Sequence, residues 1–224
     1  MKRIFVLLAI LAFLQDLSSA QTATDTLHYR KIYYMGGTGL SFPIGRTSKA
    51  LKTNLFSGSA GLDIALKNRS YFLMPTLYML NFGYKQQIKD PAYNSMVYNG
   101  KASFYLLSLA AGKRKQFKRL NTYSYVGPAF GLQTEPRADV VGDMVKMKNK
   151  KSWTLAGKIG LGADYKFPGF FIGGELGYLY SVRKIEGNPV QFLTIMIGLK
   201  SDITGLSKKV TDVIGVETYE IDKH

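Results

Sequence analysis

The sequence predicts an all-β chain, an eight-stranded antiparallel up-and-down transmembrane barrel. Three observations carry that expectation. Eight runs alternate apolar and polar residues with the two-residue period of a strand. The segments joining them alternate in length, long at odd positions and short at even ones. The chain also opens with an export signal yet contains no cysteine, so its stability has to come from a large core or from a membrane.

Residues 1–20 read as a signal peptide. Met1-Lys2-Arg3 is a basic start, Ile4 to Leu14 is uncharged and apolar, and Ser18-Ser19-Ala20 places small residues before Gln21. The apolar run falls short of the ~20 residues a membrane-spanning helix needs. Residues 21–28 form a polar leader, residues 29–200 the barrel, and residues 201–224 a periplasmic tail in which Leu206, Val210, Val213 and Ile214 make a narrow apolar stripe.

The first run, Tyr29 to Pro43, sets Ile32, Tyr34, Leu40 and Phe42 on one parity. In the second, Leu55 to Leu66, Phe56, Ala60, Leu62, Ile64 and Leu66 oppose Ser57, Ser59, Gly61 and Asp63. The third, Tyr71 to Tyr84, is apolar on both parities. Phe72, Met74, Tyr78, Leu80, Phe82 and Tyr84 read as its outer set, since Asn81 and Gly83 then face inward. The fourth, Ala102 to Gly112, sets Tyr105, Leu107, Leu109 and Ala111 against Phe104, Leu106, Ser108 and Ala110. The fifth, Thr122 to Leu132, carries aromatics on both parities and leaves its faces open.

Runs six and seven, within Lys151 to Tyr180, form the clearest unit. Trp153, Leu155, Ile159, Leu161, Ala163, Tyr165 and Phe167 share one face of run six, opposite Ser152, Thr154, Lys158, Asp164 and Lys166. Pro168-Gly169 suits the centre of a type II turn and places Phe167 opposite Phe170. The implied pairs are Tyr165 with Ile172, Leu161 with Leu176, Ile159 with Tyr178, Gly162 with Glu175 and Lys158 with Leu179. A one-residue slip would mix the faces. The eighth run, Gln191 to Lys200, sets Leu193, Ile195, Ile197 and Leu199 against Thr194, Gly198 and Lys200.

The even connections are residues 67–70, 113–121 and the Pro168-Gly169 turn; the odd ones are 45–54, 85–101, 133–150 and 182–190. Short turns on one side and long loops on the other are the mark of a barrel in an outer membrane. Tyr33, Tyr34, Tyr71, Tyr84, Tyr123, Tyr125, Trp153, Tyr165, Phe167, Tyr178 and Tyr180 are then expected in two interfacial girdles.

With these strands, turns and girdles, the chain resembles the small eight-stranded outer-membrane β-barrel family, the OmpA-type and porin-like barrels of Gram-negative bacteria. The resemblance covers about residues 29–200 and the signal peptide, and rests on architecture. It implies an outer-membrane location. Family members usually close the last strand with a terminal aromatic, whereas this chain continues to His224.

The chemistry available is sparse. His28 and His224 are the two histidines, and neither is placed beside a nucleophile. No metal site or cofactor is expected. The net charge of +15 is spread through the connecting segments, which argues against nucleic-acid binding. Lys31, Asp63, Lys158, Asp164, Glu175 and Lys200 form the expected interior charge set. Eight strands leave an interior about filled by side chains, so the set reads as an ionic plug. Lys146, Lys148 and Lys150 lie in a basic outer loop and are expected to contact the phosphates of outer-membrane lipid, including lipopolysaccharide; any envelope protein partner is left open. The function expected is a non-enzymatic structural or surface-interaction role in the cell envelope. The alternatives are a narrow pore for small solutes or ions, and a soluble secreted β-domain binding an acidic ligand.

Overall fold

A computed structural model describes residues 32–167 and 170–203, with the side chains at 54 and 55 set aside. The expected signal peptide, leader, Pro168-Gly169 turn type and nearly all of the tail lie outside the described residues. The strands are β1 (Ile32–Pro43), β2 (Leu51–Ala65), β3 (Tyr71–Tyr84), β4 (Gly100–Phe117), β5 (Leu120–Val141), β6 (Met144–Phe167), β7 (Phe170–Ile185) and β8 (Asn188–Asp202). Each pairs antiparallel with the next, and β8 returns to β1, with Leu40 opposite Ile195. Closure leaves the barrel wall without an edge.

The β6–β7 ladder has the register expected from its faces: Phe167 opposite Phe170, Tyr165 opposite Ile172, Leu161 opposite Leu176, Ile159 opposite Tyr178, Gly162 opposite Glu175 and Lys158 opposite Leu179. Charges on one parity and apolar residues on the other leave a single pairing that segregates them.

The outward residues form an apolar belt. Leu109, Val126, Trp153, Ile159, Leu161 and Ile197 are each 55–66% exposed, with Leu107, Leu155, Ile195 and Leu199 among them. A soluble monomer rarely exposes a contiguous apolar surface beyond a few hundred Å². The belt is therefore a lipid-facing surface, which a soluble secreted domain would not carry.

Three expectations are corrected. First, the faces of β3 are reversed: Phe72, Met74, Tyr78, Leu80, Phe82 and Tyr84 are buried inside, and Tyr71, Leu73, Leu77 and Met79 face out. Both faces are apolar, so polarity gives no direction. The Phe82 ring sits 5.7 Å from Phe104 and 4.4 Å from Phe192, and those neighbours come from other strands.

Second, Tyr33, Tyr84, Tyr123 and Tyr125 are buried in the lumen and do not join a girdle, while Tyr34, Tyr71, Trp153 and Tyr180 are exposed. Trp153 stacks on Phe130 at 4.9 Å on the outer surface.

Third, much of segments 113–121, 133–150 and 182–190 is strand, and tight turns close them at Lys118-Arg119, Gly142-Asp143 and Glu186-Gly187. Lys118, Gly142, Glu186 and Gly187 take the positive φ such two-residue turns need. The asymmetry between the two ends persists in another form. The β4–β5 ladder begins at Ser103 opposite Thr134 and the β6–β7 ladder at Ala156 opposite Ser181, yet β5 and β6 stay paired out to Val141 and Met144. A two-stranded ribbon thus rises from the odd end. Residues 85–99 lean on it through Ser95 and Ala138.

Candidate functional site

Alternation turns every second residue inward, and the lumen is filled in layers. At the end with the even turns, Arg114 of β4 donates to both carboxylate oxygens of Asp63, at 3.0 and 2.5 Å. Lys200 donates to Asp63 at 3.2 Å and pairs with Asp164 at 2.6 Å. Two cations thus face two carboxylates. Their aromatic walls are Phe72, 4.4 Å from the Arg114 guanidinium, and Tyr123, 4.3 Å from the Lys200 ammonium. Asn121 donates to Asp164 at 3.4 Å.

One layer further in, the Lys158 ammonium meets Glu175 at 2.6 Å. Tyr125 donates its hydroxyl to the same carboxylate at 2.6 Å, and the Tyr78 ring lies 3.6 Å from the ammonium. Burying a charge is tolerable when it is paired and hydrogen-bonded, and among the described residues each buried cation of the two layers faces a carboxylate. Gly160 and Gly162 on β6 make room for the layers, since a Cβ at either would strike the Tyr125 or Tyr123 ring.

Above the ions the lumen becomes apolar. Phe82, Phe104 and Phe192 contact one another at 4.4–5.7 Å, with Leu80, Leu106 and Leu179 also fully buried. A cavity of about 30 Å³ lies between the lower ions and the glycines of β1, β7 and β8. That is room for one or two waters.

At the odd end, Arg137 on the ribbon donates to Glu135 at 2.8 Å, to Asp90 at 3.2 Å and to the Tyr84 hydroxyl at 2.8 Å. Tyr84 donates to Glu186 of the β7–β8 turn, and Glu186 accepts the Ile88 N–H at 2.8 Å. Three separate connections are tied at one cation. Lys150 adds a 2.8 Å contact to Asp90, which holds that carboxyl down at about 2 against its small burial penalty. A depressed carboxyl stabilises above its unfolded pKa of ~3.9 and loses that contribution as pH falls through its folded value. Protease cleavage within residues 85–99 is therefore expected to rise from pH 5 to pH 2, and to rise less in Lys150→Met. An unchanged pH dependence in that variant would remove Lys150 as the partner that matters.

Of the expected interior charges, Asp63, Lys158, Asp164, Glu175 and Lys200 are all buried in the lumen. Lys31 lies outside the described residues. Lys146, Lys148 and Lys150 line one face of the ribbon; Lys148 pairs with Asp139 at 3.0 Å and Lys150 with Asp90. Arg114 escapes a sequence reading that ends the fourth run at Gly112, though the same alternation continued two residues further turns it inward. Glu135, Arg137 and Glu186 escape for the same reason, since the sequence places them in loops. Tyr78 and Tyr125 are hidden because aromatics occupy both parities.

No protein-family model matches the chain, and no curated protein matches its sequence. Among solved structures, a major outer membrane protein from Thermus thermophilus aligns with TM-score 0.55 at 14% identity, over 78% of this chain and 99% of that one. Neisserial surface protein A aligns at 0.47 and 11% identity, over 76% and 96%. The N-terminal β-barrel domain of Pseudomonas aeruginosa OprF aligns at 0.37 and 17%, over 76% and 98%. These are likenesses of fold, of which the Thermus protein's alone is strong enough to build on. Together with the closed eight-stranded ring and its lipid-facing belt, it identifies the fold as that of a small outer-membrane β-barrel protein.

Proposed function

We propose that this outer-membrane barrel is non-conducting and non-enzymatic, and that it serves the envelope as a structural element presenting a surface for interaction. The observation carrying this reading is the filled lumen: two layers of paired ions, a phenylalanine layer and the Arg137 cluster follow one another along it. An ion would have to displace all of them. Purified barrel in a planar bilayer is expected to show no conductance steps; regular steps would favour the narrow pore.

The ribbon is the surface we propose for interaction. Lys146, Lys148 and Lys150 line it, and we infer that they contact lipid phosphate, that of lipopolysaccharide in particular. The Lys148 and Lys150 side chains stay about half exposed in their contacts with Asp139 and Asp90, and ion pairs open to water are weak, so a phosphate can compete for both ammonium groups. Neutralising all three to glutamine is expected to lower the lipopolysaccharide retained through purification. Equal retention would leave the ribbon to an envelope protein.

A further inference from the structure

The outer wall near the even-turn end carries a groove that the filled lumen does not explain. It is about 530 Å³ and runs across β4 to β8. Small outward residues create it: Ala111 and Ser124 stand among the larger Val126, Ile159 and Leu161. One end lies at Lys113 and Ser124, close to the strand ends at Phe117 and Leu120. The other lies at Leu193, well inside β8, which continues to Asp202. The groove therefore climbs from the rim into the apolar belt.

The rim end is basic. Lys113 and Lys115 are exposed on the outward parity of β4, beside Ser124 and Thr122 of β5, and line a contiguous hollow of about 330 Å³. Their ammonium groups lie 5.8 Å from the Tyr71 ring and 4.9 Å from the Phe117 ring, both exposed aromatics at headgroup level. Among the described residues, no carboxylate pairs with either ammonium. Two cations with hydroxyls at the interface, continuous with an apolar trough entering the hydrocarbon, match the amphiphilic shape of a lipid with an anionic head.

We propose that this is a binding site for an anionic glycerophospholipid of the periplasmic leaflet. Lys113 and Lys115 hold the phosphate, and one acyl chain lies along Val126, Ile159 and Leu193. The proposal rests on the membrane reading of the barrel. It differs from the ribbon proposal in leaflet, residues and lipid.

Native mass spectrometry of the barrel from detergent tests it, with phosphatidylglycerol, phosphatidylcholine of the same chains, and inorganic phosphate as probes. Wild type is expected to retain phosphatidylglycerol roughly tenfold over phosphatidylcholine, from two lysines at an anionic headgroup. Lys113→Gln/Lys115→Gln should abolish the preference, and Ala111→Phe, which fills the trough with the lysines intact, should lower retention of both lipids. Lys67→Gln/Arg69→Gln removes the same charge from the neighbouring turn and should change nothing. No preference in wild type, equal loss in the Lys67/Arg69 control, or displacement of the lipid by equimolar inorganic phosphate would each overturn the site. Recovery of the chain in a soluble fraction without detergent would instead overturn the membrane reading beneath it.

Discussion

Replacing Asp63 with leucine is expected to destabilise the barrel by about 3–5 kcal/mol, the cost of breaking a buried ion cluster by removing one partner. Asp63 accepts from both Arg114 and Lys200, so its loss takes away a carboxylate that both buried cations face, while Asp164 pairs with Lys200. Urea unfolding of the refolded barrel in vesicles measures this. A cost under about 1 kcal/mol would mean that water reaches the cluster and solvates its cations in place of Asp63. The upper ionic layer supplies the internal comparison. Lys158→Met alone strands Glu175 and should cost far more than Lys158→Met with Glu175→Met, because a buried pair exchanged for apolar residues is often neutral. If single and double variants cost the same, the Lys158–Glu175 pair is not a unit.

Leu161→Arg is expected to impair membrane assembly by about 2–4 kcal/mol, the penalty for a cation on the lipid face near the midplane. Leu161 is 58% exposed on the outward face and lies opposite Leu176 in the β6–β7 ladder. The neighbouring inward position Gly162 faces Tyr123, so the outward site alone reports on lipid. The fraction of protein folded into vesicles across a urea series would show the loss. Assembly equal to wild type would mean that Leu161 does not meet hydrocarbon.

Legibility follows the contrast between the two faces of each strand. On β6 and β8, charges and apolar residues separate by parity, so the faces can be read, with the inward positions of Lys158, Asp164 and Lys200, and the β6–β7 register with them. On β3 both faces are apolar, and Asn81 and Gly83, the residues that suggest a direction, point to the wrong one, while Thr76 is the buried polar residue of the inward face. A lumen packed with Phe82, Phe104 and Phe192 wants the same residues as lipid does, so hydrophobicity loses its meaning as a direction. Arg114 is hidden by a strand end placed too early. Lysine and arginine near a turn look like loop residues until the partner strand, here β5 with Tyr123 opposite Arg114, extends the ladder past them.

The sequence by itself determined the number of strands, their antiparallel order, the pairing of β6 with β7 and an outward surface made for lipid, because a period of two and a short turn are local properties of the chain. Only the tertiary structure decided which charges meet which, how far the β5–β6 ribbon rises beyond the wall, and that a phenylalanine layer separates the ions of the even end from the Arg137 cluster of the odd end. Asp63 and Lys200 are 137 positions apart in the chain. Their contact exists because β8 closes on β1, and closure is set by the summed stagger of all eight strands, which no single stretch of sequence contains.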